Sequence, residues 1–341
     1  MKRYKYLDIA RGIGLMLVII SHSCGLNDYL IYYYIQLFFI LSGYVYHEGR
    51  SYSENIGRKA KRLLVPYFAY SAILWVFYAL VRRNVSEMGM SALGILYSRY
   101  SLFDTTTHTD NIYLFTIANG AMWYLTAAFC ASVVYYLVID KCLKSKKYLI
   151  GCTVVLLAIT AALAELPILL PWSIDTACAA ALYMICGTLL ARKEFFEKKW
   201  NIPLIIGTFV VYVALVYINP GLNMSIREYG CYGIFSIPLF MLVGITGSML
   251  CIWLAKWIQN TILGTVLAYI GNNTIILLSF HLLGFELFTT ILGKFVDISS
   301  LGPVPFALYH VVRITVSVCG CLVLDKVFTA IKNTVKAHCG K

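Results

Sequence analysis

Ten stretches of about twenty residues carry almost no charge, and each is long enough to cross the ~30 Å hydrocarbon core of a bilayer. They fall near residues 7–25, 28–47, 63–82, 120–139, 148–166, 173–191, 202–218, 230–254, 263–288 and 305–328 of the 341-residue chain. Hydrocarbon offers the backbone no hydrogen-bond partner, so runs of this kind fold as helices. The rest of the composition agrees: 60% of residues are hydrophobic and 13% charged, with a mean hydropathy of +0.76, whereas soluble domains hold about a quarter charged residues. The expected fold is all-α, a polytopic membrane bundle of about ten transmembrane helices. It forms one domain over residues 1–341, without internal repeat or low-complexity tract.

The net charge of +12 reports topology rather than nucleic acid. The basic residues stand in short clusters between apolar runs, with no aromatic-basic RNA motif among them. Lys and Arg resist translocation, and placing the N terminus inside puts 22 of the 28 of them on the inner side. The six on the outer side are Arg82, Arg83, Arg99, Arg227, Lys294 and Arg313. Both termini are therefore expected to be cytoplasmic. The first apolar run lacks a small-x-small cleavage site and is expected to be retained rather than removed as a signal peptide. Most of the eleven cysteines, among them Cys130, Cys178, Cys186, Cys251 and Cys319, sit inside apolar runs without a C-x-x-C pair, and read as small packing residues. One long outer segment, about residues 83–119, contains "YSRYSLFDTTTHTDN"; loops of this length are usually functional or disordered.

Ionisable residues inside a spanning helix are costly, on the order of 2.5–3.5 kcal/mol at the centre, and those retained usually face a cavity. The first run, "YLDIARGIGLMLVIISHS", holds Arg11 and His22. Eleven steps of ~100° bring the two back to within about 20° of one direction, with a rise of ~16 Å between them. Arg11 fits either a side chain reaching back to the inner interface or a group lining a passage. His22 lies between Ser21 and Ser23, which suits either a hydrogen-bonded structural ring or a base of fixed tautomer. Asp8, one turn before Arg11, is placed to neutralise it.

The second run, "YYYIQLFFILSGYVYH", is interrupted by Gln36 and by Ser42-Gly43. A pair of small residues admits a neighbouring helix or a ligand to close range. The inner loop that follows, "SYSENIGRKAKRLLVPYFAY", gathers Arg58, Lys59, Lys61 and Arg62 before Pro66. Such a cluster suits anionic lipid headgroups or the phosphates of a nucleotide-like ligand.

An Arg, ten residues and a His in the first run, then "FFILSGY" (Phe38–Tyr44) and "RKAKRLLVPY" (Arg58–Tyr67), resemble the acyltransferase 3 family of integral membrane acyltransferases. "AMWYLTAAF" (Ala121–Phe129) and "IGNNTIILLSFH" (Ile270–His281) are similar to motifs of its fucose 4-O-acetylase-like branch. The resemblance implies transfer of an acyl group, usually acetyl, from cytoplasmic acyl-CoA to a hydroxyl of an extracytoplasmic or lipid-linked glycan. It also implies a multi-pass protein of a bacterial inner membrane. Acetyl-CoA is then a donor substrate, and no cofactor is bound tightly. The expected catalytic residues are His22 as general base, Arg11, and Ser42 as a source of close approach or an oxyanion donor. Arg11, Arg58, Lys61 and Arg62 are expected to hold the donor, with Lys59 a weaker candidate. Trp123, Asp175 and His281 are expected on the acceptor side. The expected partners are acyl-CoA, a glycan or lipid-linked sugar, and membrane lipids, with no nucleic acid.

A carboxylate that orients the His22 Nδ1 would complete this arrangement, and Asp28, Glu165, Asp175 and Glu286 are the outer-side candidates. Asp175 equally suits the start of a helix, where an acid is favoured. His310 and Arg313, near the outer end of the last run, fit a cavity wall or hydrogen-bonded positions in the bundle. No Cys/His cluster has metal-ligand spacing, so no metal is expected. The same branch resembles the membrane half of membrane-bound serine racemases, which implies a second reading, amino-acid (serine) uptake. The chain ends at Lys341 without the soluble racemase domain, which weakens that reading and leaves it open.

Overall fold

The computed structural model describes residues 4–25, 33–103, 112–114 and 120–339. In chain order the helices are α1 (Lys5–Cys24), α2 (Tyr34–Tyr44), α3 (Tyr52–Arg82), α4 (Val85–Tyr97), α5 (Trp123–Lys144) and α6 (Lys146–Ala164). They continue with α7 (Ala177–Arg192), α8 (Ile202–Ile218), α9 (Ser236–Trp257), α10 (Ile262–Asn272), α11 (Thr274–Leu292) and α12 (Pro303–Cys339). A two-residue antiparallel ladder joins β1 (Leu222–Asn223) to β2 (Glu228–Tyr229). The protein is all-α and polytopic.

Each of the ten apolar windows holds a helix. Among the described residues, eight helices are long and apolar enough to cross a membrane. The windows near 28–47 and 202–218 hold the shorter apolar helices α2 and α8. Two expectations are corrected. The window 263–288 is not one helix but two, because Asn273 folds its side-chain amide back onto the Tyr269 carbonyl (2.9 Å) and Thr274 bonds the Gly271 carbonyl (2.7 Å). Such local side-chain bonds compete with the helical ladder. The outer segment 83–119 is not all loop: α4 occupies Val85–Tyr97, started by Asn84, whose side chain accepts from Glu87 N. Asp28, His108 and residues 104–111 and 115–119 of that segment lie outside the described residues.

Helix starts follow familiar capping chemistry. Ser51 accepts from Glu54 N at the head of α3, Ser145 from Tyr148 N at α6, and Thr261 from Gly264 N at α10; each bond satisfies one orphan N–H of a first turn. α1 ends on Gly25 in the left-handed conformation, its N–H bonded to the Ser21 carbonyl. The short turn at Ser145 between α5 and α6 gathers Lys141, Lys144, Lys146 and Lys147, as the inner end of a helical hairpin should.

The chain forms two compact units, Met1–Asn27 with Gln259–Lys341, and Asp28–Ile258. In the first, α1 packs along α10, and α11 packs along α12. The α1–α10 contact is backbone against backbone. A Cβ on Gly12 would stand 2.0 Å from the Leu267 carbonyl oxygen, and one on Gly271 would stand 1.9 Å from that of Asp8. Without a hydrophobic force between helices in lipid, this close approach supplies the packing energy. In the second unit, α2 crosses α7 in the same way, through Gly43 against Met184 and Gly187 against Ile40.

Gly12→Ala is therefore expected to force α1 from α10 at a cost of about 1–3 kcal/mol. Gly151→Ala on α6, where a Cβ meets nothing within 4 Å, should cost nothing measurable. Thermal unfolding of the two variants in detergent checks the contrast.

Candidate active site

In the first unit, α1 carries Arg11 and His22 on one continuous helix. Arg11 Nη1 bonds Asp8 Oδ1 at 2.8 Å. His22 is exposed, near the other end of α1, and its ring meets one that sequence reasoning did not pair with it. His22 Nδ1 lies 2.8 Å from His281 Nε2, with the rings nearly parallel, 11° apart.

The far side of His281 decides how the protons are placed. Its Nδ1 faces the carbonyls of Leu277 (2.9 Å) and Leu278 (3.1 Å) on its own helix. Carbonyls only accept, so His281 Nδ1 carries a hydrogen. The ring is completely buried and, among the described residues, meets no carboxylate in its hydrogen bonds or ring contacts, so the neutral form is the one that avoids an uncompensated charge. Its Nε2 is then a lone pair. His22 Nδ1 must donate to that lone pair, which leaves His22 Nε2 as an unprotonated nitrogen. The relay thus runs from helix backbone through His281 to His22, and His281 takes the place that the sequence reading reserved for a carboxylate. Ser317 on α12 fixes α11 at this level by donating to the His281 carbonyl at 2.8 Å.

The same three helices gather further polar groups. Ser23 Oγ lies 3.0 Å from His310 Nδ1, and the Ser23 carbonyl accepts from Arg313 Nη1 at 3.4 Å. The Arg313 guanidinium lies 4.4 Å from the centre of the Phe285 ring, and Phe285 meets His281 edge to face.

The second unit holds the remaining candidates. Ser42 accepts a 2.7 Å bond from Lys59 Nζ, while Gly43 beside it serves the crossing with α7. Arg58, Lys61 and Arg62 are exposed, and their i, i+3, i+4 spacing puts them on one face of α3. Lys59 leaves that face to reach Ser42. Trp123, half-buried, opens α5.

Asp175 is completely buried in an ion network. One oxygen is bonded by Arg99 Nη2, and the other accepts from Leu170 N at 3.0 Å with Arg227 Nε at 3.5 Å. Arg99 also donates to the carbonyls of Leu170 and Ser225, and Arg227 to those of Leu163 and Leu166. Burial pushes the Arg99 guanidinium down from its usual range, and Asp175 opposes the shift. Trp172 and Ser173, just before Asp175, both have positive φ (55° and 58°), a strained conformation for such side chains that the surrounding bonds must hold. Among the described residues no group of three His, Cys, Asp or Glu side chains has metal-binding geometry.

The motifs are spread over both units, and the family comparison covers the same length of sequence. The family model for the acyltransferase domain of the acyltransferase 3 family matches residues 4–325. The chain belongs to the acyltransferase 3 family. No curated protein matches it, and no solved structure does. This acyltransferase is a multi-pass membrane protein, and its first-helix Arg-x10-His motif is the helix face that carries Arg11 and His22.

Arg99, Arg227, His310 and Lys59 are the residues that sequence reasoning underused. Two arginines on the side expected to be outer, where few cations stand, were the available sequence signal for the first pair.

Asp175→Asn or Arg99→Ala is expected to destabilise the acyltransferase by about 3–5 kcal/mol, because either leaves an uncompensated buried charge. Arg99→Lys should not rescue it, since one ammonium cannot reach Asp175 and two carbonyls as a fork does. Melting temperatures of the purified variants test this.

Proposed function

We propose that this acyltransferase moves an acetyl or other short acyl group from cytoplasmic acyl-CoA to a hydroxyl of an extracytoplasmic or lipid-linked glycan, in a bacterial inner membrane. The observation that carries the reading is the 2.8 Å contact between His22 Nδ1 and His281 Nε2, from which the unprotonated His22 Nε2 follows. In the proposed step His22 Nε2 takes the proton of the acceptor hydroxyl as its oxygen attacks the thioester carbonyl. The tetrahedral intermediate then expels the thiolate as the C–S bond breaks, and the imidazolium returns the proton to sulfur. An ester and a free thiol result, and His22 ends as it began. General base action of this kind is worth about 10²–10⁴-fold.

The donor's phosphates suit the exposed face of Arg58, Lys61 and Arg62, by charge-assisted hydrogen bonds. Ser42, held by Lys59, is a candidate oxyanion donor through its hydroxyl. Arg11, paired with Asp8 on the helix face of His22, suits the passage of the donor's arm. Trp123 and His281 are assigned to the acceptor side, His281 by orienting His22; Asp175 acts there through the loops its network holds.

Purified protein in proteoliposomes is expected to turn over acetyl-CoA, and His22→Ala to abolish this while melting at the wild-type temperature. An active His22→Ala enzyme would exclude the mechanism. Serine uptake measured in the same vesicles separates acyl transfer from transport. His281→Phe keeps a ring of similar size but removes the acceptor nitrogen, so kcat is expected to fall by up to ~10⁴-fold, the loss seen when a catalytic imidazole can take the wrong tautomer.

A further inference from the structure

Arg313 is the charged residue of the three-helix site that the mechanism above leaves without work. It lies inside a spanning helix, α12, where a charge costs about 2.5–3.5 kcal/mol by insertion scales. Among the described residues no carboxylate lies within ion-pair distance of it. Its charge is met instead by π faces, Phe285 at 4.4 Å and Tyr309 at 5.7 Å, which attract a cation but accept none of its five N–H bonds well. Of those donors, Nη1 makes one long bond to the Ser23 carbonyl (3.4 Å), and Nε is buried with no hydrogen-bond partner among the described residues. Arg99 and Arg227, by contrast, each face the Asp175 carboxylate and donate to two backbone carbonyls.

The position matters as much as the vacancy in its bonding. Arg313 is tied to the residue next to His22 and stacks on the ring that abuts His281. His310, one turn before it on α12, bonds the Ser23 hydroxyl from the same side. The guanidinium carbon lies over the Phe285 and Tyr309 rings, and an arginine fork is shaped to receive two oxygens at once.

We infer that Arg313 receives an oxyanion of the acceptor, a carboxylate or phosphate carried near the hydroxyl that is acylated. This rests on the acyl-transfer reading and narrows its substrate class to acidic glycans. The anion supplies the missing acceptors to Nε and Nη and places the hydroxyl toward His22, so charge recognition and orientation come from one contact.

Three acceptors that differ only at one carbon test it: an alkyl glucoside, the matching alkyl glucuronide, and the matching alkyl glucoside 6-phosphate. Wild-type enzyme is expected to favour at least one of the charged pair over the glucoside by tenfold or more in kcat/KM, and Arg313→Gln to bring that ratio to about one. Arg313→Lys, which keeps the charge and loses the fork, should fall between. Equal losses for charged and uncharged acceptors, or no preference in the wild type, would overturn the inference and leave Arg313 a structural or lipid-anchoring residue. Should acetyl-CoA not turn over with any acceptor, acyl transfer itself fails. Binding of the three glycosides, read as displacement of the protein's melting temperature, then decides alone: stabilisation by a charged glycoside that is lost in Arg313→Gln upholds the anion site, and its absence removes it.

Discussion

A hydrogen placed on a fully buried ring has few places to come from, and in this acyltransferase that constraint organises the site. His281 has two helix carbonyls on one side and His22 on the other. The carbonyls fix one proton, the apolar surroundings exclude a second, and the remaining lone pair dictates the state of His22. A serine hydrolase reaches the same end with a carboxylate behind its histidine. Here a neutral ring anchored to a helix backbone does so without placing a further charge in the membrane, where each one is expensive.

The rest of the first unit holds that relay in register. His22 and His281 stand on different helices, 259 residues apart, so a shift of α1 or α11 by a fraction of a turn would part them. Gly12 and Gly271 let α1 and α10 touch backbone to backbone, and Ser317 ties α12 to the carbonyl of His281 itself. The second unit adds an ion network to the glycine crossing of α2 and α7. Segments between its helices are gathered by Asp175, Arg99 and Arg227, an ion network whose arginines also donate to backbone carbonyls. Buried ion pairs of this sort fix one arrangement more surely than they add stability.

Much of the fold was legible because a spanning helix announces itself by twenty uncharged residues, whatever its neighbours. The break at Asn273 was hidden for the same reason: two asparagines do not lower the apolarity of a whole window, although their side chains rewrite the local hydrogen bonding. α4 was hidden by its shortness, its 13 residues being below spanning length. At the site, Arg11 and Asp8 were readable as partners because they share a helix three residues apart. The pairing of His22 with His281, and of Ser23 with His310, was not, since contacts between distant segments leave no local pattern. A carboxylate was expected behind His22 because that is the commoner chemistry; only the geometry of the carbonyls at Leu277 and Leu278 identifies the histidine in its place.

The central claim is a statement about which nitrogens carry hydrogen, and nitrogen-15 NMR reads that directly. Protein labelled with ¹⁵N in histidine, with His22→Gln and His281→Gln used to assign the signals, is predicted to show both rings protonated at Nδ1 and unprotonated at Nε2 near neutral pH. A His22 ring protonated at Nε2, or a doubly protonated His281, would contradict the relay and remove His22 as the base.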